Sequence, residues 1–177
     1  KLDANLSGFE AFCSALCSSQ VASLSMGRCH LGLQAVIVLV GALRTAPVAV
    51  SLNIDSNAIF GRLGNLWQRG EADKYAAQCE PLYDVLKASR ISALSVSNTG
   101  MGPVACVGVA SSLPTELNSL NIGLKNEIGL DGGAALQAAL ETSSIKSIGI
   151  GKKYTTATGQ HLTVSSMQPG VSLACSG

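Results

Sequence analysis

Side chains that could do chemistry are few in this sequence and lie far apart. The two histidines, His30 and His161, stand toward opposite ends of the chain. One pair of carboxylates, Glu71 and Asp73, lies in an irregular segment and is more typical of solvated loop charges than of an acid–base pair. Enzymes place a nucleophile, a base or metal ligands close together. The sequence therefore predicts no catalytic residues, and we expect a protein that is not an enzyme.

A metal site would need the cysteines. Cys13 and Cys17 are four residues apart, which places both thiols on one face of a helix, and His30 would supply a third zinc ligand. The alternative is free thiols at helix or core positions, because the six cysteines are spread along the chain. We expect free thiols and no metal. Free cysteine thiols favour an intracellular or organellar protein over a secreted one.

Composition and glycine spacing exclude two further kinds of ligand. The net charge is +1 and charged residues make up 13% of the chain, so no basic stripe is available for nucleic acid. Gly129 to Gly133 form a glycine-rich segment, but the spacing fits neither G-x-x-x-x-G-K-[ST] nor G-x-G-x-x-G. A turn between two elements explains these glycines. We therefore predict no cofactor.

A short segment recurs along the chain with apolar residues at the same offsets. Its five copies begin at residues 21, 49, 91, 117 and 145. The first three fit L-x-x-L-x-L-x-x-N/C-x-L, with these residues at the inner and N/C positions: Leu24, Met26 and Cys29; Leu52, Ile54 and Asn57; Leu94, Val96 and Thr99. This pattern resembles the leucine-rich repeat. The resemblance implies that Cys29 faces the interior.

The spacing of the copies resembles the long repeats of ribonuclease inhibitor and the NOD-like receptors. The steps are 28, 42, 26 and 28 residues, and a single 14-residue insertion, Phe60 to Asp73, accounts for the long one. A second period is visible, because Ala4 to Leu33 aligns with Lys74 to Pro103 at an offset of 70 residues. The repeats therefore come in pairs.

The resemblance implies an α/β fold in the form of a leucine-rich-repeat solenoid. We expect a short horseshoe with a parallel sheet on the concave side and helices on the convex side. The solenoid spans 1–150, with about five repeats. After Ile150 the spacing fails, so 151–177 is either a C-terminal cap or an irregular tail. Leu162, Val164, Met167, Val171 and Leu173 are the apolar residues that a cap would use.

Three surfaces are candidates for binding. The concave face should carry small, nearly neutral residues, which are poor hot spots: Ser25 and Gly27, Asn53 and Asp55, Ser95 and Ser97, Asn121 and Gly123, Gly149 and Gly151. The helices Gln34–Leu43 and Pro103–Leu113 contain no charged residue. Their outer faces should therefore expose valines to a partner unless neighbouring repeats cover them: Val36, Val38, Val40, Val104 and Val107.

The insertion is the third candidate. It carries Trp67 between Arg62 and Arg69, the residue types that dominate binding hot spots. Insertions in repeat arrays often lie on the binding face. The alternative is that Trp67 folds back and seals its own loop.

The apolar segment from Leu31 to Ile54 could be mistaken for a membrane span, since Arg44 is its only charge. The repeat pattern instead predicts a helix, a turn and a strand, hence no transmembrane span. The expected function is a non-catalytic protein-interaction or scaffold module bound to protein partners in a larger complex. Two alternatives remain: a peripheral subunit of an organellar or photosynthetic membrane complex, and a soluble receptor that binds on its concave face.

Overall fold

A computed structural model describes residues 3, 5–64, 70–123, 125–150, 154–155 and 161–162. Strands and helices alternate, so the fold is α/β. The helices are α1 (Ser7–Leu16), α2 (Leu33–Leu43), α3 (Glu80–Lys87), α4 (Pro103–Ala110) and α5 (Gly129–Thr142), with a short 3-10 helix at Ala76–Gln78. The strands are β1 (Ser23–Ser25), β2 (Val50–Asn53), β3 (Ile91–Ser95), β4 (Ser119–Asn121), β5 (Ser147–Gly149), β6 (Tyr154–Thr155) and β7 (His161–Leu162).

The first five strands form one parallel sheet in the order β1-β2-β3-β4-β5. One apolar residue of each strand lies beside its equivalent in the next: Leu24, Leu52, Leu94, Leu120 and Ile148. This confirms that the recurring segments are the strands of a single sheet. Each carries apolar residues at alternate positions, and because side chains of a strand alternate between faces, one face is apolar.

The core lies between that apolar face and the helices, which pack side by side in chain order. Helix residues such as Leu39, Leu82 and Val109 join Leu52 and Leu120 in one buried cluster. Removing this apolar surface from water is the main source of stability, at roughly 25 cal/mol per Å².

The turn after a strand has a left-handed residue in four of the sequence repeats: Arg28, Ser56, Asn98 and Lys125, with φ of 59°, 57°, 53° and 69°. A buried asparagine follows Ser56. Asn57 Nδ2 donates to the carbonyls of Ile54 and of Met26, and its Oδ1 accepts from the amide of Leu31. Asn126 bonds to Val96, Thr99 and Ile122 in the same way. Each asparagine thus ties its own strand to the preceding repeat.

Cys29 occupies the position equivalent to Asn57 but is exposed, and its thiol donates to the carbonyl of Gly27 at 3.5 Å. This corrects the expectation that Cys29 faces the interior. The physical reason is its location, because β1 is the first strand of the sheet and no described strand lies on its outer side.

The segment from Leu31 to Ile54 divides as the repeat pattern predicts. The helix α2 ends at Leu43 and the strand β2 begins at Val50. Among the described residues, no helix has the length and apolar character needed to cross a membrane.

The ends of the 60–73 stretch belong to the packed structure. Phe60 is buried in the core, and the main chains of Arg62 and Glu71 form an antiparallel bridge. Asp73 accepts hydrogen bonds from three amides at the start of α4, those of Gly102, Val104 and Ala105, at 2.8, 2.7 and 3.1 Å. Removing 60–73 as a unit would therefore take away a core residue and a helix cap.

The 70-residue period has a structural counterpart in Asp3. Its carboxylate accepts from the amides of Gly32 and Gln34 at the start of α2, at 3.1 and 3.0 Å. Asp3 and Asp73 both have a left-handed backbone, with φ of 55° and 57°. Paired repeats therefore share one type of helix cap, in which an aspartate distant in sequence accepts hydrogen bonds from amides that a helix leaves without partners.

At the C-terminal end, β6 and β7 pair as an antiparallel two-stranded sheet, with Tyr154 opposite Leu162. The other residues expected to form a cap lie outside the described part of the chain: Val164, Met167, Val171 and Leu173.

Candidate interaction surfaces

The helix α2 turns its valines inward. Val36 and Val40 are fully buried with Leu39 and Leu43, and Val38 is half-buried. Val36 and Val40 therefore lie in the core and Val38 packs against it, which corrects the expectation that these valines face outward. The reason is that α2 packs between α1 and α3.

The helix α4 does expose valines. Val104 keeps 64% of its surface and Val107 keeps 38%, while Ala105, Cys106 and Val109 face the core. Because α4 is apolar all round, its outward residues are apolar as well. Their exposure is as the sequence predicts.

Leu130 adds to this apolar surface and was not predicted from the sequence. It is 67% exposed at the start of α5. The preceding Gly129 lies against Pro103, since a Cβ at Gly129 would come within 2.9 Å of Pro103 Cγ. The first turns of α4 and α5 are therefore adjacent. We call Val104, Val107 and Leu130 the outer apolar surface; the sequence signal for Leu130 was a large apolar side chain beside Asp131 in the first turn of the helix.

The insertion presents charges that pair with one another. Arg62 Nη1 lies 3.7 Å from Glu71 Oε1, and Lys74 donates to Glu71 Oε2. The hydrogen bond from Lys74, with the positive charge of Arg62, holds the pKa of the exposed Glu71 carboxyl below its ordinary value. Arg62 therefore contributes to closing the base of the loop. Trp67 and Arg69, predicted with it as binding residues, lie outside the described residues.

Among the described residues, the polar face of the sheet, opposite the core, carries the small residues that the sequence predicts; Gly151, predicted with them, lies outside the described part of the chain. Side chains of the polar face bond to one another across three strands. Asp55 Oδ1 accepts from Ser95 Oγ and from the amide of Ser97, at 2.8 and 2.7 Å. Asn121 Nδ2 donates to the same Ser95 hydroxyl at 2.9 Å. These groups are half-buried. Because they already form hydrogen bonds within the protein, fewer of their donors and acceptors are free to bind a ligand.

The buried thiols resist deprotonation. Burial raises the pKa of Cys13 and Cys79 to about 11 and that of Cys106 to about 12. Cys17 donates to the carbonyls of Cys13 and Ala42, each at 3.6 Å. In the part of the chain that the structure describes, no group of three or more histidines, cysteines or carboxylates could hold a metal ion. Cys175 lies outside that part.

We expect the protein to lose stability in alkaline solution. The thiols of Cys13, Cys79 and Cys106 have pKa values of about 11 to 12 when folded, against an ordinary value of 9.0. Above pH 9 the unfolded chain releases these protons before the folded chain does, so deprotonation favours unfolding. Urea denaturation should give a free energy of unfolding that declines as the pH rises above 9. Cys106→Ala should make that decline shallower; a stability that stays level to pH 11 would contradict the assignment.

Comparison with protein-family models finds no match for this chain, and comparison with curated proteins finds none either.

Proposed function

We propose that this protein is a leucine-rich-repeat solenoid that acts as a non-catalytic interaction or scaffold module within a larger assembly. Three features support the repeat assignment. The strands keep the register that the sequence pattern predicts. Asn57 and Asn126 link successive repeats, and the helices pack in chain order.

The outer apolar surface is the main support for the proposed function. Val104 and Leu130 are each about two-thirds exposed, on adjacent first turns of two helices. Large apolar side chains grouped on a surface commonly mark a protein interface. Fully burying a side chain of this size is worth about 1.5 to 3 kcal/mol before the costs of association are subtracted. A protein partner with an apolar patch would gain by covering these residues.

The test is a double substitution, Val104→Lys with Val107→Lys, in tagged protein produced in the cells that make it. We expect recovery of its protein partners to fall at least about tenfold, because two charges would be placed in an apolar interface. The matched control is Ala11→Lys with Ala15→Lys on α1, at exposed positions four residues apart. It should retain the partners.

The folded state provides a second control. Both valines are exposed, so the free energy of unfolding of the lysine variant should lie within about 0.5 kcal/mol of the wild-type value. Full partner recovery by this stable variant would refute the proposed surface.

The alternatives make different predictions in the same experiment. A peripheral membrane subunit would sediment with lipid vesicles before the lysine substitutions and less after them. A receptor that binds on the polar face would keep its partner in the lysine variant and lose it on Asp55→Ala. The hydrogen bonds that Asp55 already accepts from Ser95 and Ser97 favour the outer apolar surface over that face.

A further inference from the structure

The outer apolar surface lies in a part of the chain that has an excess of negative charge. Residues 80–142, which hold α3, α4 and α5, contain three basic side chains: Lys87, Arg90 and Lys125. They contain six carboxylates: Glu80, Asp84, Glu116, Glu127, Asp131 and Glu141. Because the whole chain has a net charge of +1, the negative excess is confined to this segment.

One ion pair removes two of these charges from the comparison. Arg90 Nε lies 3.2 Å from Glu116 Oε1. Lys87 and Lys125 then stand against five carboxylates, all of them exposed: Glu80, Asp84, Glu127, Asp131 and Glu141. Charges next to an interface select partners by the sign of their charge, so this surface should discriminate against acidic partners.

The carboxylates flank the outer apolar surface on both sides. The helix α4 has no charged residue and packs between α3 and α5. On one side, α3 exposes Glu80 and Asp84. On the other side, Asp131 directly follows Leu130 in the first turn of α5. An apolar surface between two acidic helices is complementary to a segment that is apolar in the middle and basic at its edges.

The outward face of α5 carries small side chains after Leu130. Ala134 and Ala138 follow it at intervals of four residues, which places them on the same face, and both are exposed. On α4, Val104 and Val107 stand one turn apart. Larger side chains on one helix beside small ones on the next leave a shallow groove, and the row of side chains on a third helix packs into such a groove. The surface therefore suits a helical partner.

We propose that the outer apolar surface binds an amphipathic helix of a protein partner, apolar on one face and carrying lysine or arginine along its edges. The inference rests on the proposed function and adds the chemistry of the partner. The apolar face of this helix covers Val104, Val107 and Leu130, and its basic residues lie opposite Asp84 and Asp131. The same carboxylates repel the anionic headgroups of a membrane, which favours a protein over a lipid surface.

The test measures the binding of two labelled helical peptides of equal length to the full chain by fluorescence anisotropy. Both peptides carry leucine on one face. The opposite face is lysine in one peptide and glutamate in the other. We expect the lysine peptide to bind at least about tenfold more tightly than the glutamate peptide. Added salt should weaken the lysine peptide, because it screens charges at a surface.

Asp131→Lys locates the binding site, with Glu10→Lys as its matched control. Both carboxylates are exposed in the first turn of a helix, so the two substitutions change the net charge and the helix terminus in the same way. Asp131→Lys should weaken the lysine peptide about fivefold, and Glu10→Lys less than about twofold. Val104→Ser with Val107→Ser changes no charge and should weaken it about tenfold, because apolar contact is lost.

Three results would overturn the proposal. The first is equal binding of the two peptides, or no binding of either. The second is an equal effect of Asp131→Lys and Glu10→Lys. The third is tighter binding of the chain to vesicles that contain phosphatidylglycerol than to vesicles of phosphatidylcholine alone, since an anionic membrane would then be the occupant. The proposed function is tested separately, because it fails only if the Val104→Lys, Val107→Lys variant keeps its partners.

Discussion

Replacing Asn57 with alanine is expected to lower the free energy of unfolding by about 3 kcal/mol. The side chain is 1% exposed and bonds to the amide of Leu31 and to the carbonyls of Met26 and Ile54, each at 2.9 Å. Alanine would leave these groups buried without partners, and each such group costs about 1 to 3 kcal/mol. Urea denaturation followed by circular dichroism measures the loss.

Asn53→Ala is the matched control. Asn53 is half-buried on the polar face, and its Oδ1 accepts one bond from the amide of Asp55 at 2.9 Å. Water can replace that bond, so we expect a loss of about 1 kcal/mol or less. Equal losses for the two variants would mean that Asn57 does not join the repeats as described.

Replacing Leu120 with alanine should lower the free energy of unfolding by about 3 to 4 kcal/mol. Leu120 is fully buried between Leu94 and Ile148 in the row of strand residues, so alanine would leave a cavity with repeats on both sides. Leu24→Ala removes the same atoms from the end of that row, where the side chain is only partly buried. A loss of about 1 kcal/mol is expected there.

The ratio of the two losses is the informative quantity. Leu24 and Leu120 occupy the same register position, so only their place in the sheet differs. A similar loss at both sites would contradict the open edge at β1.

The strands were predictable because their signal is local and repeated. Leu24, Leu52, Leu94 and Leu120 are separated along the chain by steps that match one repeat, apart from the insertion, and each is followed by an apolar residue two positions later. That pattern fixes both the side of the sheet that faces the core and the register between strands.

The orientation of α2 was not predictable in the same way. A helix that is apolar all round has no polar side to mark its exposed face. The spacing of Val36, Val38 and Val40 therefore does not show which face of α2 is buried. Packing against α1 and α3 determines the orientation of α2 instead. The caps formed by Asp3 and Asp73 were also missed, because each aspartate lies about thirty residues before the amides it binds. The alignment of the two segments at a 70-residue offset was the signal that could have revealed them.

We have proposed that the chain works as an interaction module within an assembly. Native mass spectrometry of the tagged 177-residue chain, isolated gently from the cells that make it, tests this most directly. We expect a defined species that contains a protein partner and has a mass well above the 18.0 kDa of the chain. In the Val104→Lys, Val107→Lys variant this species should be replaced by free chain. A wild-type spectrum that contains only the free chain would contradict it.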